Sequence, residues 1–416
     1  MRVLWAVSSV GKGHVVRDIA IADQLRALAD VEIDWLAPYP VDEFLRQRGH
    51  RVLDCSSRLT GSGKAYEEVF CGAAEEFNLM DYIRVEGKLH KHDFSISSEA
   101  WSAKDYAVIV GDEAFWLLSG FASRWARKPA PFVFLTDFIG TKAMRWRLRD
   151  LLRAWISNVG FAMSHVGPDV YVYIGDGEEI PDERFGFLLP SRRRWARRHC
   201  RFVSPVVCFD PESLPDRRTS RRMLHLPEAG PLFLATVGPE GDHARRAAVI
   251  ERVFEHLRCD FPGAYFIMLC PESGDREWID YRHFVDGLHR YFAASDFVIT
   301  QSGYGKVSEL SAIGVPFIAI PLDYHFEQEY FMGHRLAHHG VGELVTMRDH
   351  DPQAIAAMAR RGMERPPARI DVDSGAEVAE MILEAGRTGR RDVGERSLPA
   401  GIERALTSVP VDERPR

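Results

Sequence analysis

No apolar run in this 416-residue sequence approaches the roughly 18–20 residues that a membrane-spanning helix needs. The opening RVLWAV is too short for a signal peptide and runs straight into glycines. Its six cysteines, Cys55, Cys71, Cys200, Cys208, Cys259 and Cys270, are scattered without a CxxC pair. Neither a zinc site nor a disulfide framework is expected, and the expected setting is a reducing cytoplasm. Excess positive charge is also missing. The net charge of −7 gives no global pull toward nucleic acid, so no nucleic-acid partner is expected. The phosphate-loop hydroxyl is absent as well. Lys12 is followed by Gly13, and Lys64 of GSGKAY by Ala65, where a Walker A loop needs Ser or Thr. A dinucleotide fingerprint counted from Gly11 requires a third glycine where Val16 stands.

What is present is an alternation of short apolar runs and amphipathic stretches, in a chain that is 46% apolar. Strands are predicted at 2–7, 31–36, 106–110, 132–135 and 170–174, with helices at 15–28 and 114–125. A second series of strands is predicted at 232–237, 265–269, 284–285, 297–300, 317–320 and 344–346. This alternation reads as βαβ units and parallel sheets. Between the halves, residues 184–222 hold eleven arginines and three acids, and prolines 205, 211, 215, 227 and 231 punctuate the end of this stretch. The predicted organisation is a first domain at 1–204, a second at 205–387 and a polar tail at 388–416. Ligands of doubly wound sheets bind beyond the carboxyl ends of the strands, so the expected site is a cleft between the two domains.

Two stretches carry chemistry. In SSVGKGHVVRD, Gly11 and Gly13 allow a tight turn after the first strand, and His14 stands at the mouth of the following helix. Histidine is suited to take a proton near neutral pH, or it caps the helix or packs there. In QSGYGKVSELSAIGVP, a strand runs into Gln301, Ser302, Gly303 and Gly305, and a helix begins near Lys306. Glycines and a helix N-terminus together suit an anion such as a diphosphate. Glu309 lies one turn into that helix, where a carboxylate can accept hydrogen bonds from ribose hydroxyls. Glu327 and Gln328 follow the next strand and could hold sugar hydroxyls.

The Ser-Gly-x-x-x-Val-Ser-Glu order, the Gly-Val-Pro step, the Glu-Gln pair and the opening Gly-x-Gly-His-Val-x-Arg resemble the UDP-glycosyltransferase superfamily. That superfamily includes the peptidoglycan N-acetylglucosaminyltransferase and related bacterial nucleotide-sugar enzymes. The resemblance implies the α/β GT-B fold, two doubly wound Rossmann-like domains facing each other across a cleft. It implies that Ser302 and Gly303 contact the diphosphate, Glu309 the ribose, and Glu327 and Gln328 the donor sugar. It places Gly238 near the phosphates, the backbone of 283–286 near the base, and His14 at the centre as base. Gln301 stands where relatives often carry histidine or arginine. Lys306 stands where a small or hydroxylated residue is common, and it either neutralises the leaving diphosphate or points into solvent.

The expected activity is an inverting, metal-independent transfer of a sugar from a UDP- or dTDP-sugar to an unidentified acceptor hydroxyl, with no cofactor. A nucleotide-sugar hydrolase and a silent nucleotide-sugar-binding protein are the alternatives. Asp112, ending YAVIVGD, is the candidate partner of His14, and Asp137 the second; both are also placed to cap helices. Asp371 and Asp373 read as surface, and His334 and His338 as a surface pair. The stretches MRWRLRDLLRAWI and SRRRWARRHCR mix arginine with tryptophan. The plainer reading packs the tryptophans inward; the other is peripheral contact with the inner face of the membrane.

Overall fold

The computed structural model describes residues 1–8, 13–60, 78–238, 243–272 and 274–388. The first sheet holds β1 (Arg2–Val7), β2 (Glu32–Leu36), β3 (Val108–Asp112), β4 (Phe132–Thr136), β5 (Val170–Ile174) and β6 (Arg201–Val203), all parallel, in the order 2-1-3-4-5-6. The second holds β7 (Leu232–Thr236), β8 (Tyr265–Leu269), β9 (Ile279–Arg282), β10 (Phe297–Gln301), β11 (Phe317–Ile320) and β12 (Glu343–Leu344), also parallel, in the order 12-11-10-7-8-9. The central strands are buried on both faces, which is why they read as unbroken apolar runs such as VLWAV and LFLA.

Helices cover both sheets. In the first half they are α1 (Gly13–Leu28), α2 (Val41–Gln47), α3 (Leu79–Ala103), α4 (Phe115–Ala122), α5 (Leu148–Met163) and α6 (Arg192–His199). In the second they are α7 (Arg217–Met223), α8 (His243–Asp260), α9 (Leu288–Ala294), α10 (Tyr304–Ile313), α11 (Met332–His339), α12 (Pro352–Met363) and α13 (Ala376–Thr388). Local chemistry sets several ends. Asn78 accepts from the Met80 and Asp81 amides at the start of α3, Asp351 with Pro352 opens α12, and Gly314 at φ +82° closes α10.

The structure corrects the predicted strands at the sheet edges. The strand expected at 284–285 lies at Ile279–Arg282, and 284–285 falls in the loop after it. Arg201–Val203 is a strand where none is predicted, and the last strand is Glu343–Leu344 rather than 344–346. Edge strands are short and half-wet, so they lack the apolar run that marks a central strand.

Residues 376–388 fall in the second half of the sequence, yet α13 packs on α1 and on the first sheet. Gly375, at φ +94°, permits this, because a Cβ there would stand 2.8 Å from the Ile21 Cα. The chain therefore crosses between the domains twice. The two crossings pair side by side: the Val207 amide donates to the Asp373 carbonyl at 3.0 Å, and the Asp373 amide to the Pro205 carbonyl at 2.9 Å. Asp373, read from sequence as surface, also accepts from the Gly375 amide at 2.7 Å through its carboxylate.

Candidate active site between the two sheets

Each sheet reverses its winding once. In the first the reversal lies between β1 and β3, in the second between β7 and β10. Crevices open at such switch points, beyond the carboxyl ends of the strands. His14 follows β1, Asp112 ends β3, Gly238 follows β7 and Gln301 ends β10, so topology gathers these four residues at the two facing crevices. Gly11 lies outside the described residues.

The two crevices touch. A Cβ built on Gly305 would stand 3.5 Å from the Gly13 Cα, and one on Gly13 would stand 3.9 Å from the Gly305 amide nitrogen. The N-termini of α1 and α10 thus meet across the interdomain boundary, and side chains beyond Cβ would hold them apart. Both termini direct partial positive charge into the same space.

On the first-domain side, three acidic and two basic side chains are packed together. Arg17, one helical turn after His14, is buried and donates to Asp112 Oδ1 at 2.6 Å and to Asp137 Oδ2 at 2.8 Å. Its Nη2 also lies 2.8 Å from His14 Nδ1. Asp112 Oδ2 stands 3.4 Å from His14 Nδ1, so Asp112 is held by Arg17 and reaches the imidazole by charge. The other ring nitrogen, Nε2, faces Glu113 Oε2 at 3.5 Å. Glu113 is buried and sits at φ +47°, a strained conformation for a residue other than glycine. Its Oε1 accepts from the Thr136 hydroxyl at 3.2 Å and from the Asp137 amide at 3.4 Å.

The charges set the protonation. Burial pushes the His14 imidazolium down, but Glu113 and Asp112 outweigh burial and raise it from 6.5 to about 9, with Arg17 opposing. Burial raises Glu113 well above the ordinary carboxylate range; His14 opposes this, while Asp137, Glu327 and Asp112 add to it. Asp112 is driven the other way. Burial would raise it, yet Arg17 and His14 hold it down at about 2. His14, Glu113 and Asp137 also offer three ligand atoms within 4.8 Å of one another. The Arg17 guanidinium already occupies the Asp137 oxygen, so a metal cation there would have to sit against a fixed positive charge.

On the second-domain side, Ser302 is fully buried and its hydroxyl donates to the Gln328 carbonyl at 2.7 Å. The Gln328 side chain accepts from the Leu322 amide at 3.1 Å, so Ser302 and Gln328 shape the loop between them. Gly303 begins α10, and a Cβ on it would stand 3.9 Å from Lys306 Cε, so the lysine runs back over the glycine turn. Gln301 is buried at the end of its strand. Glu309 has no hydrogen-bond partner among the described residues. Burial raises it from 4.5 to about 7, with Lys306 opposing. Gly238 turns at φ +76°, and the residues after it, 239–242, lie outside the described residues. Glu327, half-buried in the π-helical turn Phe326–Phe331, is close enough to Glu113 to act on its charge.

Sequence reasoning passed over four residues that tie this site together. Arg17 and Glu113 are two of them. The third is Tyr304, at the start of α10, whose hydroxyl donates to the Ile174 carbonyl of the first domain at 3.0 Å. The fourth is Arg335 of α11. It donates to Glu179 Oε1 at 2.5 Å and to the Asp137 carbonyl at 3.0 Å, and it lies over the Tyr304 ring at 4.1 Å. His338 and His339 extend this clasp, with Nε2 atoms 3.0 Å from Asp176 and Glu179 respectively. His338, read from sequence as a surface histidine, therefore bridges the domains. Only Arg17 carried a signal, three residues from His14 and so on the same helix face.

Two doubly wound domains with the site at their facing switch points define the GT-B fold. Residues 259–381 match the glycosyltransferase family 28 C-terminal domain. An uncharacterized glycosyltransferase of Methanopyrus kandleri (strain AV19) is 27% identical over 185 residues, 44% of this chain and 53% of that protein. The UDP-N-acetylglucosamine–N-acetylmuramyl-(pentapeptide) pyrophosphoryl-undecaprenol N-acetylglucosamine transferase of Mycobacterium avium (strain 104) is 30% identical over 134 residues, 30% of this chain and 33% of that protein. This chain thus spans about half, or less, of the curated relatives it matches. The crystal structure of the glycotransferase of kitacinnamycin shares the fold at a TM-score of 0.61 and 12% identity, over 94% of this chain and 95% of that one.

Proposed function

We propose that this protein is a glycosyltransferase that moves a sugar from a UDP- or dTDP-sugar to an acceptor hydroxyl, with inversion at the anomeric carbon. The observation that carries this reading is the meeting of α1 and α10 at Gly13 and Gly305, which sets the proton-accepting cluster against an anion-binding helix start. The donor diphosphate rests at the N-terminus of α10, where backbone amides and Lys306 offset its charge. Glu309 takes the ribose hydroxyls, and Glu327 and Gln328 face the sugar. The Mycobacterium avium relative, whose name includes UDP-N-acetylglucosamine, supports a nucleotide-sugar donor.

The acceptor hydroxyl enters from the first-domain side. Its oxygen attacks the anomeric carbon as the bond to the diphosphate breaks, and the bonding electrons leave on the diphosphate oxygen. The hydroxyl proton goes to the His14–Glu113 pair. Glu113 and Asp112 outweigh burial and raise His14 to about 9, and burial raises Glu113, so the two groups are biased toward sharing the accepted proton. The base is thus the pair, with Asp112 and Arg17 fixing the imidazole. The reading needs no metal.

Calorimetry against a panel of nucleoside-diphosphate sugars, followed by product analysis with and without candidate acceptors, tests the proposal. Binding of a UDP- or dTDP-sugar with acceptor-dependent product is expected. Free sugar released at the same rate without acceptor would make the protein a hydrolase. His14→Ala should keep donor binding and lose turnover.

A further inference from the structure

Helix α5 is turned inside out. At 3.6 residues per turn, Leu148, Leu151, Leu152, Trp155 and Ile156 share one stripe, and all are exposed. The opposite stripe is buried and includes the polar Asp150 and Asn158. Just ahead of the helix, Trp146 is 93% exposed, and Leu148 at its start is 83% exposed. The tryptophan of the other arginine-rich stretch, Trp195, packs inward as the plainer reading has it.

A second element extends the same surface. The turn between Arg184 and Ser191 projects Phe187 and Leu188, 78% and 80% exposed. Leu188 adopts φ +63°, a conformation that leucine disfavours and that holds its side chain in water. The Trp155 indole donates to the Phe187 carbonyl at 3.1 Å and joins helix to turn. Arginines border the apolar surface. Residues 144–156 hold four arginines and one acid, and residues 184–198 hold six arginines and no acid. Arg184, Arg193, Arg194 and Arg197 line a cavity of about 580 Å³ beside Leu188. Glu178 pairs with Arg193 and Arg197, whereas Arg184 and Arg194 have no acidic partner among the described residues.

We propose that this surface docks on an anionic lipid bilayer. Trp146, Leu148, Leu152, Phe187 and Leu188 enter the interfacial layer, and the arginines take lipid phosphates. Charge complementarity selects the occupant: a chain of net charge −7 concentrates arginine where its apolar side chains are outermost. The surface also borders the cleft. Arg145 lies over the Tyr324 ring at 4.4 Å and Lys142 over the Tyr330 ring at 4.7 Å, both rings belonging to the second domain. This docking does not depend on which reaction the cleft performs.

Co-sedimentation of the full chain with vesicles of phosphatidylcholine, alone or with about 30% phosphatidylglycerol, tests the proposal. Binding is expected only to the anionic vesicles and should weaken with salt. Leu148→Glu, Phe187→Asp and Arg194→Glu sit on different parts of the surface, and each should lower the bound fraction by about tenfold with an unchanged melting temperature. Equal binding to neutral vesicles, or unchanged binding by all three folded variants, would overturn the proposal. So would a dimer in sedimentation velocity that Leu148→Glu abolishes, because the surface would then belong to a second copy.

Discussion

Replacing Glu113 by glutamine isolates the coupling at the centre of the site. The substitution keeps size and shape and removes one negative charge 3.5 Å from His14 Nε2. At an effective dielectric of about 20–40, a unit charge at that distance is worth roughly 2–5 kcal/mol. Each unit of pKa corresponds to about 1.4 kcal/mol. The rise of His14 from 6.5 to about 9 is the net of burial and Arg17 pulling down against Glu113 and Asp112 pulling up. Losing the larger of the two upward contributions should lower His14 by about 2–3 units. The direct assay is an NMR titration of the imidazole, assigned by the signal that His14→Gln lacks. An unchanged or higher His14 pKa in the glutamine variant would refute the pairing, and with it the assignment of Glu113 to the base.

Three further outcomes follow from the geometry. Glu309 is raised from 4.5 to about 7, so its ionisation opposes folding. The penalty is absent below pH 4.5, grows as pH rises and is complete above pH 7. Glu309→Gln should therefore gain about 2–3 kcal/mol in urea melts at pH 8 and little at pH 5, while weakening donor binding by about 1–3 kcal/mol. Arg335→Ala leaves Glu179 buried without its guanidinium and should cost roughly 3–5 kcal/mol in the same melts; a loss under about 1 kcal/mol would mean the clasp contributes little. Gly305→Ala adds a Cβ at an ordinary 3.5 Å contact and should change stability by less than about 1 kcal/mol, whereas Gly305→Val should lose about 1–3 kcal/mol and donor affinity too.

Much of the fold was legible because buried parallel strands announce themselves. VLWAV, FVFL and FVI are unbroken apolar runs, and the glycine-rich exits of the first and last strands of this kind marked where ligands gather. IDYR and RFV did not, since an edge strand with a wet side shows neither a full apolar run nor clean alternation. The site divided in the same way. His14 and the residues from Gln301 to Glu309 sit at loop-to-helix transitions that glycine makes visible. Glu113, Tyr304 and Arg335 are ordinary polar residues in sequence. Their meaning comes from the opposite domain, which buries them and supplies their partners, and no local spacing encodes that.

The paired crossing at Pro205–Val207 and Asp373 has a mechanical meaning. Two strands of chain, bonded to each other, form a strap instead of a string. A single linker would let the domains twist and drift apart, but a strap bends about one line. The pairing therefore resists twisting of one domain against the other more than bending about the line of the two crossings. The first domain is also not a contiguous stretch of chain, because its last helix arrives only after the whole of the second domain has been made.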